Sequence, residues 1–200
     1  MMFARIVTFT GATDIDAGIR YLSDPVAPLL AEQKGFRGVT ASADRSGGVM
    51  GVLSLWETEA DRDASGSTLV NAREEGRRVV GGEMSVEHFE ELLVETAQPP
   101  KVGCSLLLRR LSMDPAMLEE HLDFFRGEVL PQMKASPGFC AVRNMTNRQT
   151  GEAIVGSVWT DQVAMDTWAE AAEARRQQAA QRGVTFGEQS KREIVFAELR

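Results

Sequence analysis

Apolar residues recur along this chain with two alternating periods. Ile15, Ile19, Leu22, Val26 and Leu30 fall three or four residues apart, the spacing of one buried face of an amphipathic helix. Before them, Phe3 to Thr10 is rich in β-branched and aromatic residues and predicts a strand. Asp14 or Asp16 can cap the helix, which runs to about Gln33, and Gly35 suits the left-handed position beyond it. Val39–Ala43 and Val49–Trp56 predict two further strands around the hairpin Arg45-Ser46-Gly47-Gly48. Glu59 to about Val80 reads as a second helix with a weak point at Ser65-Gly66-Ser67, and Glu83–Thr96 as a last strand long enough to hold a bulge.

The same pattern then recurs. Cys104–Leu111 is a strand, Asp114-Pro115 a helix start, and Phe139–Met145 and Ala153–Trp159 are strands around the turn Asn147–Gly151. A helix follows from Asp161 to about Gln181, then a strand at Gln189–Leu199. Slid against itself by 103 residues without gaps, the chain superposes Val26 on Val129, Pro28 on Pro131, Gly35-Phe36 on Gly138-Phe139, and Trp56 on Trp159. The first helical stripe meets Leu118, Leu122, Phe125, Val129 and Met133, every one apolar. Repeated packing preserves such a stripe, whereas repeated surface would not.

Each copy is therefore βαββαβ, a ferredoxin-like order. The expected fold class is α+β, with tandem units at residues 1–97 and 102–200 and a proline-stiffened linker at 98–101. Two such units in one chain can pack sheet to sheet as an intramolecular pseudo-dimer, whether the chain is a monomer or a homodimer.

Composition narrows the function. A formal charge of −7, with no basic cluster larger than Arg77-Arg78 or Arg175-Arg176, argues against a nucleic-acid partner. No apolar run approaches the roughly 18 residues of a membrane span, and the start MMFARIVTFTG reads as a strand, not a signal peptide. Cys104 and Cys140 form neither a metal spacing nor a disulfide framework; they read as small core residues in a reducing cytoplasm. No nucleophile–base pair, phosphate loop or zinc spacing is present, so neither metal nor cofactor is expected.

Four stretches resemble a known family: Val129-Leu130-Pro131, Ser136-Pro137-Gly138-Phe139, Gly156-Ser157-Val158-Trp159 and Met165-Asp166-Thr167-Trp168. A helix ending in a Pro-Gly-Phe turn, then a strand ending in Trp before an acidic helix start, is similar to the dimeric α/β-barrel group that includes antibiotic-biosynthesis monooxygenase domains. The resemblance covers nearly the whole chain, once per copy, more closely in the second. It implies a pocket between helices and sheet in each half. Members of that group variously oxidise polycyclic aromatic phenols with molecular oxygen and no cofactor, degrade haem, or have no established activity, and the resemblance leaves all three open. Haem-degrading relatives carry an Asn on the first strand and a Trp and a His on the second helix. Trp168 matches that Trp, but Gln177 stands where the His would fall and neither first strand has an Asn.

The candidates for a small-molecule site lie mainly in copy two. His121, on or beside the apolar stripe, could be a base facing a pocket or a satisfied boundary histidine; its partner in copy one is Gly18. Trp159 and Trp168 could hold a ring beside Phe125, although Trp159, matched by Trp56, reads more readily as core. Arg109, Arg143 and Asn144 could orient an anion if their strands turn them inward, which the sequence leaves open. Two readings stand: a cofactor-independent monooxygenase with His121 or Arg109 assisting proton removal, or a non-catalytic ligand-binding or structural protein.

Overall fold

The computed structural model describes residues 2–199. They fold as an α+β protein with eight strands. In the first copy these are β1 (Met2–Thr10), β2 (Phe36–Asp44), β3 (Val49–Trp56) and β4 (Glu83–Thr96). Helices α1 (Ile15–Tyr21) and α2 (Ala27–Ala31) precede β2, while α3 (Glu59–Thr68) and α4 (Val70–Val80) precede β4. The second copy has β5 (Ser105–Ser112), α5 (Leu118–Phe124), α6 (Leu130–Ala135), β6 (Phe139–Thr146) and β7 (Glu152–Trp159). It ends with α7 (Gln162–Ala171), α8 (Glu173–Gln181) and β8 (Thr185–Leu199).

Contacts divide the chain into two compact units, Met1–Phe89 with Glu193–Arg200, and Glu90–Arg192. Strands β4 and β8 therefore each contribute to both. Within the first unit the hydrogen-bonded order is β4-β1-β3-β2-β8, and within the second β8-β5-β7-β6-β4. Among the described residues no helix is long and apolar enough to cross a membrane.

Both predicted helices of each copy are interrupted, and at matching places. The first passes through a π-helical segment, Leu22–Val26 in one copy and Phe125–Val129 in the other. Pro28 and Pro131 follow these segments. A proline cannot donate to the carbonyl four residues back and its ring crowds that carbonyl, so the preceding turn widens; the Ala27 N–H reaches Leu22 O and the Leu130 N–H reaches Phe125 O. The second helix breaks at Leu69 and at Ala172. The Ser65-Gly66-Ser67 weak point is not the cause, because the second copy breaks without it. In both copies an arginine ties the break: Arg73 Nη2 donates to Gly66 O at 2.8 Å and Arg176 Nη2 to Ala169 O at 2.9 Å.

Strand details repeat too. Bulges lie between Phe36 and Gly38 and between Phe139 and Ala141, and again between Glu91 and Leu93 and opposite Ala41/Ser42 in β8. The first strands break the gapless offset. Arg5 pairs with Ser54, but Leu107, not Leu108, pairs with Ser157. Their offset is thus 102, and a one-residue slip exchanges the faces of a strand. Gly35 and Gly138 take φ of +71° and +79°; a Cβ there would come within 2.5 Å of Asp61 and 2.6 Å of Thr160.

Candidate functional site

A cavity of about 130 Å³ lies in the second unit between its helices and the sheet. The register of β5 sets its floor. Arg109 pairs with Val155, and with Leu107 and Leu111 it occupies the face turned to the helices; all three line the cavity. On β6, Asn144 faces the cavity. Its Oδ1 accepts from Thr146 Oγ at 2.8 Å, leaving the amide NH2 as a donor. Arg143 takes the other face of that strand and pairs with the buried Glu91 carboxylate.

The helices supply the rest. Phe125 and Val129, the first and last residues of the π segment, line the cavity with His121, Trp168, Arg175 and Arg176. Of the expected ligand-holding residues, five line this cavity: Arg109, His121, Phe125, Asn144 and Trp168. Trp159 does not. It is fully buried behind Trp168, stacked on it at 5.6 Å, edge-on to Phe139, with Nε1 donating to Ser157 Oγ at 3.0 Å. Its interactions are those of a packing residue that backs the cavity wall.

His121 is the most unusual group. It is only 7% exposed, and both ring nitrogens are buried without a hydrogen-bond partner. Each unsatisfied polar atom costs about 1–3 kcal/mol. In copy one Gly18 stands at this position, where a Cβ would meet Val80 Cγ2 at 2.5 Å and Met50 Sδ at 2.9 Å. On β7, Ala153 stands where β3 has Met50, a smaller side chain at that place.

The charge on the wall is unbalanced. Arg176 pairs with Glu173, and Arg175 donates to Ala171 O at 3.0 Å while lying over the Trp168 ring. Arg109 has no hydrogen bond or ion pair among the described residues. Burial first, then the nearby Arg176, lowers its pKa, with Glu173 partly opposing. Arg175 and Arg176 escaped the sequence reading, where they stood only as a basic pair; nothing in their spacing sets them above the other arginines.

His88 lies in the first unit, not in this cavity. Its Nε2 accepts from Arg5 Nε at 3.3 Å. Desolvation, then Arg62 and Arg5, holds its pKa below 6.5. Cys140 is buried and its thiol is pushed up to about 11, first by desolvation and then by Cys104, so it is a poor nucleophile.

No family pattern matches the sequence. An uncharacterised protein of Mycobacterium tuberculosis is 27% identical over 100% of this chain and 86% of its own length. Among solved structures, a candidate monooxygenase of Fusobacterium nucleatum superposes with a TM-score of 0.74 over 100% of this chain and 94% of its own, at 10% identity. A ferredoxin-fold protein of Listeria monocytogenes, related to antibiotic biosynthesis monooxygenases, gives 0.56 over 98% and 96%, at 10% identity. The chain has the fold of the antibiotic-biosynthesis-monooxygenase-like proteins. At these identities the likeness carries the fold alone, so any activity of this chain must be argued from its own cavity.

Proposed function

We propose that the protein is a cofactor-independent monooxygenase that oxidises a small phenol in the cavity of the second unit. The observation that carries this reading is His121: a buried imidazole with two unpartnered nitrogens, lining the same cavity as an arginine without an ion pair. Buried polar groups without partners are what a bound ligand would satisfy. Neutral imidazole accepts a proton near neutral pH, and Arg109 would stabilise the resulting phenolate. Asn144 would donate to the same oxygen or to an oxygen adduct. The apolar walls around Leu107, Phe125 and Trp168 would keep the anion poorly hydrated, and so a better reductant.

The balance is simple. His121 takes the phenolic proton, and the phenolate gives electrons to O2. A C–O bond forms at a ring carbon bearing hydrogen, and the imidazolium returns the proton to give a hydroperoxide. Loss of water then leaves a quinone: phenol plus O2 gives quinone plus water. One oxygen atom enters the product and the other leaves as water. A cavity of about 150 Å³ accepts benzene, so the 130 Å³ space here suits one ring.

Oxygen uptake with a panel of single-ring phenols, with 1-naphthol as the two-ring comparison, tests the reading. Uptake is expected with single-ring phenols and a roughly 10²–10⁴-fold loss in His121→Ala. Arg109→Leu should lower the rate and shift its dependence on phenol acidity. Binding without uptake would make the cavity a carrier site. Undiminished uptake in His121→Ala would remove the base.

A further inference from the structure

The first unit has its own cavity, of about 80 Å³, between its helices and its sheet. Two arginines, Arg5 and Arg73, line it, and no carboxylate does. Arg73 is the counterpart of Arg176, and both tie the broken helix through the same carbonyl position. They differ in what balances them. Arg176 is paired with Glu173, whereas Val70 stands at that place in the first unit and Arg73 Nη1 is buried with no hydrogen-bond partner. The helix tie therefore accounts for one arm of Arg73 and leaves the other unexplained.

Arg5 adds a second uncompensated cation. It is 3% exposed; Nη1 donates to Ser65 Oγ at 3.0 Å, Nε to His88 Nε2 at 3.3 Å, and Nη2 to the Arg62 carbonyl. None of these partners is an anion. Desolvation, then Arg73 and Arg62, brings its pKa down to about 10, with Asp63 partly opposing. The nearby Arg62 is already neutralised by Glu59 and Asp63. Burial lowers the Arg73 pKa and Glu74 partly opposes it, but among the described residues neither Arg73 nor Arg5 makes an ion pair, and two such cations on one cavity define a place for an anion. The remaining wall, including Phe9, Leu22, Val26 and Met50, is apolar.

We infer that the first-unit cavity binds a short-chain carboxylate, with its head on Arg73 and Arg5 and its alkyl tail against Phe9, Leu22, Val26 and Met50. Scaled from a cavity of about 150 Å³ that holds benzene, the enclosed space takes roughly three or four heavy atoms. That size suits acetate, whose four heavy atoms set the carboxylate at the arginines and the methyl group against the apolar wall. The site is independent of the oxygenase reading, which concerns the other unit.

Thermal unfolding with sodium acetate, against sodium chloride at equal ionic strength, tests it. The native protein should show a rise in melting temperature on the order of 2–4 °C once acetate reaches about five times Kd, growing with the logarithm of concentration beyond that. Val70 is 46% exposed, so Val70→Glu can supply the missing counter-charge without disturbing the core. The acetate response should vanish in Val70→Glu and persist in Val70→Gln, which has nearly the same size as Glu and no charge. It should also persist in Arg109→Leu, which alters the second-unit cavity. A response no larger than that of chloride would overturn the proposal. So would one that survives Val70→Glu, or one lost in Arg109→Leu.

Discussion

Trp159→Ala is expected to destabilise the protein by about 3–5 kcal/mol, the usual cost of removing a fully buried tryptophan. Trp159 has no exposed surface, and it holds Trp168 by stacking, Phe139 by an edge contact and Ser157 by a hydrogen bond. Urea unfolding should show the loss as a lower midpoint. The comparison with Trp56→Ala separates packing from function. Trp56 has the same arrangement in the first unit, edge-on to Phe36 at 5.6 Å with Nε1 donating to Ser54 Oγ at 3.1 Å. Stability should fall similarly in both variants. Only Trp159→Ala removes the support behind Trp168, so only it should also abolish phenol binding in the second unit. Equal loss of binding in both would show that binding follows global stability and not this wall.

His121→Leu should move stability the other way. It removes two buried, unpartnered nitrogens and fills the space with an apolar side chain of similar size. A gain of about 1–3 kcal/mol is expected from lifting the desolvation cost. Binding and turnover of a phenol should be lost together with that gain, as expected where function is kept at the expense of stability. A destabilised His121→Leu protein would mean that the imidazole is satisfied in solution and that the cavity needs no ligand to complete it.

The fold was largely legible because it is written in periodicities. The helical stripe from Ile15 to Leu30, the glycines after the first helices and the full span of β4 follow from spacing and turn chemistry. The π segments were not legible, because a residue-type stripe cannot distinguish a four-residue from a five-residue backbone closure. The breaks at Leu69 and Ala172 carry no breaker residue; they are stabilised by arginines acting from the following helix. The clustering of site residues depended on the register of β5. A gapless alignment sets Arg109 against Ile6, whereas strand pairing makes Val7 its counterpart. That single residue of slip turns Arg109 toward the cavity. Room for His121 is a matter of what is missing, since Ala153 stands where the first copy has Met50. Small residues give no signal until a neighbour is known to fill their place.

The two units thus differ in chemistry on one packing plan. The first keeps two unbalanced arginines around a glycine. The second exchanges that glycine for a histidine, in a cavity also lined by an arginine without an ion pair. The chain contains only two histidines, His88 and His121, so ring-nitrogen NMR of the 15N-labelled protein resolves each one. Titration with phenol, the smallest probe of the proposed substrate class, should move both His121 ring nitrogens and leave those of His88 in place. Ring nitrogens of His121 that stay fixed through saturation, or a response confined to His88, would contradict the account.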